Sequence, residues 1–241
     1  MCTVSYVSHS GRSFITSNRD EHTGRETAYA PVFESINNKH IIFPKDAKAG
    51  GTWFAASEDG VVAVLLNGAF IKHMPAPPYR RSRGLVLLDI ISSNNPFELI
   101  AAIDLGRIEP FTLILQQSNR LAELRWDGNR KHEKELDAAG NYIWSSATLY
   151  SEKIIQHREE LFNRFISAEG RPSAEMIAAF HSNNHNDEEN GFIINRSSGM
   201  KTFSITQAIV QPGKIDLRHN DLLANREFEE TMYIRPALIN L

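Results

Sequence analysis

One cysteine stands among the 241 residues, so no internal disulfide can form, and nothing in the chain is built for an oxidising compartment. Long apolar runs are missing too. The run at residues 61–66 is far short of the roughly 20 residues that span a bilayer, and the opening residues lack the apolar core of a signal peptide. A cytoplasmic protein without a membrane span is expected. Charge of one sign is scarce: the net charge is -3, which excludes a global attraction to nucleic acid. There is no Gly-X-Gly-X-X-Gly or Walker loop, no Cys-X-X-Cys pair and no Gly-X-Ser-X-Gly elbow. No cofactor is expected. His181 and His185, followed by Asp187, Glu188 and Glu189, form the one cluster of metal-binding composition, but Asn183, Asn184 and Asn186 break the helix that would align the imidazoles. No metal is assigned. With 41% hydrophobic residues and no internal repeat, residues 1–241 are expected to form a single domain.

What the chain does have is concentrated at its start. Residues 2–6 and 13–17 read as two strands joined by a turn at 8–12, which brings Asn18, Arg19, Asp20 and Glu21 back toward Cys2. If Met1 is removed, the Cys2 thiol shares its residue with a free α-amine, whose ordinary pKa of about 7.7–8.0 lies close to the thiol's of roughly 8.5. The amine can then serve as the thiol's own base. A nucleophile, a base, a cation and a carboxylate would meet in one place.

Further on, residues 24–38 read as a long loop, 40–43, 52–56 and 61–66 as strands, and the proline-rich 74–78 as a rigid connection. Arg80, Arg81 and Arg83 precede a helix at 85–91, and Asn95 and Pro96 open another that runs to about 104. Strands at 111–116 and 121–126 are expected to begin a second sheet. Residues 151–166 give the clearest helix, with Ile154, Ile155, Leu161, Phe162, Phe165 and Ile166 inward and Lys153, Arg158, Glu159 and Glu160 outward. A shorter helix at 173–180, with Met176 inward, and strands at 192–195, 203–208, 215–217 and 232–234 complete the pattern. Periodicity alone supports a mixed α and β layered domain.

The opening Met1-Cys2-Thr3 and the later Asn18-X-Asp20 resemble the cysteine-type N-terminal nucleophile hydrolases, the penicillin V acylases and choloylglycine hydrolases. Closer is the resemblance to the NRDE family, also called the Transport and Golgi organisation 2 family. Its motif is Asn18-Arg19-Asp20-Glu21, and Gly50-Gly51-Thr52-Trp53, Leu65-Leu66-Asn67-Gly68 and Arg81-Ser82-Arg83-Gly84 resemble its further segments. The resemblance implies an α+β fold, the four-layer αββα sandwich. It also implies cleavage of a linear amide of a small acylated substrate: Cys2 as nucleophile, Asp20 holding the α-ammonium, Asn67 as oxyanion donor and Arg19 as the family's arginine. The slot of the choloylglycine hydrolases' catalytic arginine is Ser17. Where those enzymes carry a later asparagine and arginine, this chain has Ser146 and Lys201. Asn18, Trp53, Arg81 and Ser146 are expected around the substrate. The same resemblance allows a binding or transfer protein for haem or an acyl-CoA-like amphipathic ligand, with Trp53, Phe70 and the cations Arg80, Arg81 and Arg83 suiting an apolar body with an anionic end.

Overall fold

The computed structural model of the chain describes residues 3–235. In chain order the elements are β1 (Thr3–His9), β2 (Arg12–His22), β3 (Tyr29–Ile36), β4 (Lys39–Lys45), β5 (Phe54–Ser57), β6 (Val61–Asn67), α1 (Arg83–Ile91) and α2 (Pro96–Ala102). Then follow β7 (Phe111–Gln117), β8 (Arg120–Trp126), β9 (Lys131–Leu136), β10 (Tyr142–Ser145), α3 (Glu152–Glu169), α4 (Ala174–His181), β11 (Met200–Gln211), β12 (Lys214–Asp221) and β13 (Arg226–Tyr233). The strands form two antiparallel sheets, ordered β10-β1-β2-β11-β12-β13 and β3-β4-β5-β6-β7-β8-β9.

Three apolar clusters bind four layers. Val4, Tyr6 and Ile15 of one sheet meet Ile42, Phe54 and Val64 of the other between the sheets. On the far side of the seven-stranded sheet, Leu87, Ile90 and Ile91 of α1 pack on Val61, Ala63 and Leu113. On the far side of the six-stranded sheet, Phe162 of α3 and Ile177 of α4 pack on Val7, Phe14 and Ile209. Each strand therefore sends alternate side chains to the inter-sheet core and to a helix layer. Phe162 is 1% exposed, and its loss to alanine would cost roughly 3–5 kcal/mol.

Several expectations are corrected. Residues 29–36 lie within the expected loop but form β3; it is an edge strand with Tyr29, Val32 and Phe33 exposed, so no buried face marks it in the sequence. The strands at 111–126 do not begin a second sheet. The chain leaves β6 for α1 and α2 and returns as β7 beside β6, with Asn67 opposite Phe111. The polar strand β9 and the short β10 were not anticipated, and residues 192–195 contribute only the bridge from Asn195 to Lys201. Met176 is 38% exposed rather than inward. Arg158 is fully buried rather than facing away, because its guanidinium reaches through the helix layer to β1. No helix among the described residues is long and apolar enough to cross a membrane.

Two glycines set the position of α1. A Cβ on Gly51 would lie 2.5 Å from the Gly84 carbonyl carbon, and one on Gly84 would lie 2.7 Å from the Thr52 oxygen. Backbone packs directly on backbone there, and the Arg81–Arg83 turn is drawn up against Trp53.

Candidate functional site

Strand β2 runs to His22, so Asn18 to Glu21 belong to a strand and alternate between its faces. Arg19 faces the inter-sheet side. Its Nη2 lies 3.1 Å from Asp46 Oδ2 and 3.8 Å from Glu21 Oε2, and its guanidinium carbon sits 4.6 Å from the Trp53 ring centre and 5.5 Å from that of Phe203. Arg25 holds the same Asp46 through Nε at 3.2 Å and Nη2 at 3.0 Å. Burial would raise the Asp46 pKa, but the Ala49 N–H and the two arginines outweigh it and hold the carboxyl below the usual carboxylate range. Burial lowers the pKa of Arg19 against the opposing pull of Glu21 and Asp46.

These groups form one wall of a cleft of about 700 Å³, whose lining includes Arg19, Arg25, Trp53, Asn67, Arg81 and Arg83. Ser82 caps α1 by accepting the Leu85 N–H at 3.3 Å. Arg83 in the first turn opposes the helix dipole and is neutralised by Glu109 at 3.0 Å. Burial also lowers the pKa of Arg83, with Glu109 opposing. Arg81 stands at the rim, paired with Asp89 at 2.7 Å.

Asn67 ends β6 inside this cleft. Its carbonyl accepts the Ser146 hydroxyl at 2.8 Å, while its side-chain amide makes no hydrogen bond among the described residues. Ser146 therefore supports Asn67 from behind, its Oγ also 2.9 Å from Thr148 Oγ1, and it does not line the cleft. Near Arg19 lie three buried polar atoms without partners among the described residues: Trp53 Nε1, Ser17 Oγ and Ser204 Oγ. Ser17 shares the Arg19 face of β2, and Ser204 pairs with Arg19 across the strands.

The helix side of β2 is different. Asn18 does not reach the cleft; its Nδ2 donates to the His181 and Phe192 carbonyls at 2.9 and 3.0 Å, and its Oδ1 meets His181 Nδ1. With both Nδ2 protons spent, Oδ1 must accept, so His181 carries its proton on Nδ1 and accepts from Ser5 Oγ through Nε2 at 2.7 Å. Burial first, then Arg158 and His185, push the His181 pKa down to about 3. This structural role accounts for the histidine that composition had suggested as a metal ligand. Asp20, also on this face, accepts from Tyr150 at 3.0 Å and from Thr202 at 2.6 Å. A bulge between Thr202 and Ser204 lets Phe203 and Ser204 both lie against Arg19. Lys201 pairs with Glu21 across the strands, outside the cleft lining.

Cys2 lies outside the described residues; Thr3, next to it, pairs with Asn18. The structure thus brings Arg19, Trp53, Asn67 and Arg81 to one cleft, sets Asp20 and Asn18 behind it, and leaves Ser146 and Lys201 beside it. Asp46, Arg25 and Glu109 were missed. They lie on turns and strand ends with no periodic signal, and only the fold shows that they face the family motif.

Residues 1–213 match the family described as Transport and Golgi organisation 2. The chain belongs to that family. No functionally curated protein matches it. Among solved structures, this family member is similar to a mutant of the conjugated bile acid hydrolase from Clostridium perfringens: TM-score 0.55, 11% identity, 96% of this chain and 92% of that one. It is similar to the penicillin V acylase from Agrobacterium tumefaciens at TM-score 0.53 and 10% identity, covering 96% and 86%. It also resembles the Caenorhabditis elegans ortholog of N-acylethanolamine-hydrolyzing acid amidase at TM-score 0.60 and 12% identity, covering 86% and 92%. At such identities the likeness shows the fold, that of the N-terminal nucleophile hydrolases.

Proposed function

We propose that the protein is a cysteine-type amidase of N-terminal nucleophile type, cleaving a linear amide of a small acylated substrate. The observation that supports this reading is the register of Thr3 opposite Asn18, which sets the first described residue of β1 against the strand that carries Arg19 and Asp20. In the proposed reaction the Cys2 sulfur attacks the acyl carbon and its proton passes to the α-amine, which Asp20 holds. The side-chain amide of Asn67 donates to the oxyanion. The amine product leaves with that proton, and water then cleaves the thioester to release the acid and restore the thiol. Three neighbours in fold, named as a hydrolase, an acylase and an amidase, are consistent with this chemistry. It calls for removal of Met1 and for no cofactor. A panel of acyl amides assayed with wild type and Cys2→Ala is the test; equal background rates would sink the reading.

A second reading, a carrier of haem or an acyl-CoA-like ligand, has one observation of its own. Phe70, Ile71 and Met74, on the segment that leads from Asn67 toward Arg80, are 51%, 78% and 87% exposed, and the cleft that Asn67 lines has five arginines in its lining. A saturable Soret shift on haemin titration, lost in Trp53→Ala, supports it for haem, and no shift removes haem.

A further inference from the structure

Arg158 has no exposed surface, yet among the described residues it has no carboxylate within ion-pairing distance. Its Nη2 donates to Thr3 Oγ1 at 2.5 Å, and its guanidinium carbon lies 4.1 Å from the Tyr150 ring centre and 4.6 Å from that of Phe192. Its Nε and Nη1 are buried with no partner among the described residues. A cation held out of water on two ring faces and a single hydrogen bond is a poor way to fill space; an aliphatic side chain of the same size would serve packing better. The two groups it grips are instructive. Thr3 is the neighbour of Cys2, and Tyr150 is the residue whose hydroxyl donates to Asp20.

We propose that Arg158 is a positioning residue for the N-terminal site: from behind the sheet its buried guanidinium fixes Thr3 and Tyr150, and through them Cys2 and Asp20, while its charge favours the thiolate. The proposal rests on the amidase reading for the role of Cys2. Arg158 is the cation that faces this spot from α3. From β2 come Asp20 and, on the opposite face, Arg19 with Glu21 and Asp46 beside it; from β11 comes Thr202, from the turn before α3 Tyr150, from α4 the neutral His181, and from the loops Arg196, 5.2 Å from the Tyr150 ring centre, and His185. His157, beside Arg158 on α3, completes the titratable set. Asp20 balances an α-ammonium, Glu21 and Asp46 offset Arg19, and Arg158 is the positive charge on the helix side that no carboxylate pairs among the described residues. At an effective dielectric of about 20, a unit charge 8–10 Å away moves a titrating group by about one pKa unit.

The test follows iodoacetamide labelling of Met1-processed protein by intact mass between pH 5 and 9, for wild type, R158M, R158Q and R158K. The expected result is an apparent thiol pKa about one unit higher in R158M and R158Q, with about tenfold slower labelling at pH 6, and recovery of most of that loss in R158K. R158Q can still reach Thr3 without a charge, and it stands in should R158M fail to fold. A neutral variant with the wild-type profile, or an R158K profile no better than R158M, overturns the proposal while leaving a reactive wild-type Cys2 and the amidase reading intact. An ordinary thiol profile in wild type itself overturns both.

Discussion

Around Asn18 to Asp20 the two faces of β2 and β11 carry similar polar residues and treat them differently. On the helix side Asn18, Asp20 and Thr202 are engaged by His181, Phe192, Tyr150 and one another, in a layer closed to water. On the inter-sheet side Ser17 Oγ, Ser204 Oγ and Trp53 Nε1 are equally buried and have no partner among the described residues, where the Asn67 side-chain amide in the cleft also makes no hydrogen bond. Satisfied buried groups specify a fold, whereas unsatisfied donors beside a cleft suit a visitor that brings acceptors. The same strands thus build a scaffold on one side and a receptive surface on the other.

The comparison breaks first, if it is wrong, at Asn18. Asn18→Ala strands the His181 and Phe192 carbonyls and the His181 Nδ1–H, and is expected to cost roughly 3–5 kcal/mol in urea unfolding. A cost under 1 kcal/mol would mean that the helix-side network is ornamental. On the receptive side, Asn67→Ala should lower kcat by about 10²–10³, some 3–4 kcal/mol in the transition state, with unfolding free energy changed by less than about 1 kcal/mol. A large stability loss with an unchanged rate would place Asn67 in the scaffold instead.

Acid should erode the structure gradually. Burial, reinforced by Arg158 and His185, sets the His181 pKa at about 3; burial, reinforced by Arg19 and opposed by Asp221, sets that of His219 at about 4. Both sites take a proton near 6.5 when unfolded. Below pH 6.5 the unfolded chain therefore binds more protons than the folded one, and stability falls with falling pH, until His219 titrates near 4 and His181 near 3. The expected loss is about 2 kcal/mol over the first pH unit, read by urea unfolding at pH 6.5 and 5.5, and H219Q should roughly halve the slope. A flat profile would show that these imidazoles are not buried neutral. The smallest effects belong to Ser17→Ala and Ser204→Ala, expected within about 0.5 kcal/mol of wild type, since each removes a group that already lacks a partner. A loss above 2 kcal/mol at either would show it engaged and would erase the difference between the faces.

Much of this was legible before any coordinates. The hairpin of β1 and β2 and the strand ending in Asn67 follow from short apolar runs bounded by turn residues, and helices α1, α3 and α4 from their caps and apolar spacing. The edge strand β3 escaped because Tyr29, Val32 and Phe33 are exposed, and β9 because it is almost entirely charged. Within the motif, residue types pointed to Arg19 and Asn67, but not to the sorting of Asn18 and Asp20 onto the helix side, which depends on β2 continuing past Ser17. Arg158 was misread for a related reason: amphipathic patterning assigns arginine to water and carries no notice of a hydroxyl and two rings waiting across the layer.

The bulge at Phe203 makes the spacing of β11 as consequential as its composition. Upstream of it Thr202 pairs with Asp20, and downstream Ser204 pairs with Arg19, so Phe203 is an extra residue of β11 between two consecutive pairs. A deletion of Phe203 alone would set Thr202 and Ser204 side by side opposite Asp20 and Arg19, closing the bulge with both halves of the strand still in register. What would be lost is the Phe203 ring, whose centre lies 5.5 Å from the Arg19 guanidinium carbon. Any further gain or loss of a residue here would slide one half past its partner by one position and turn its side chains over. Family members should therefore differ by the presence or absence of this one residue more readily than by any other change in the length of the strand.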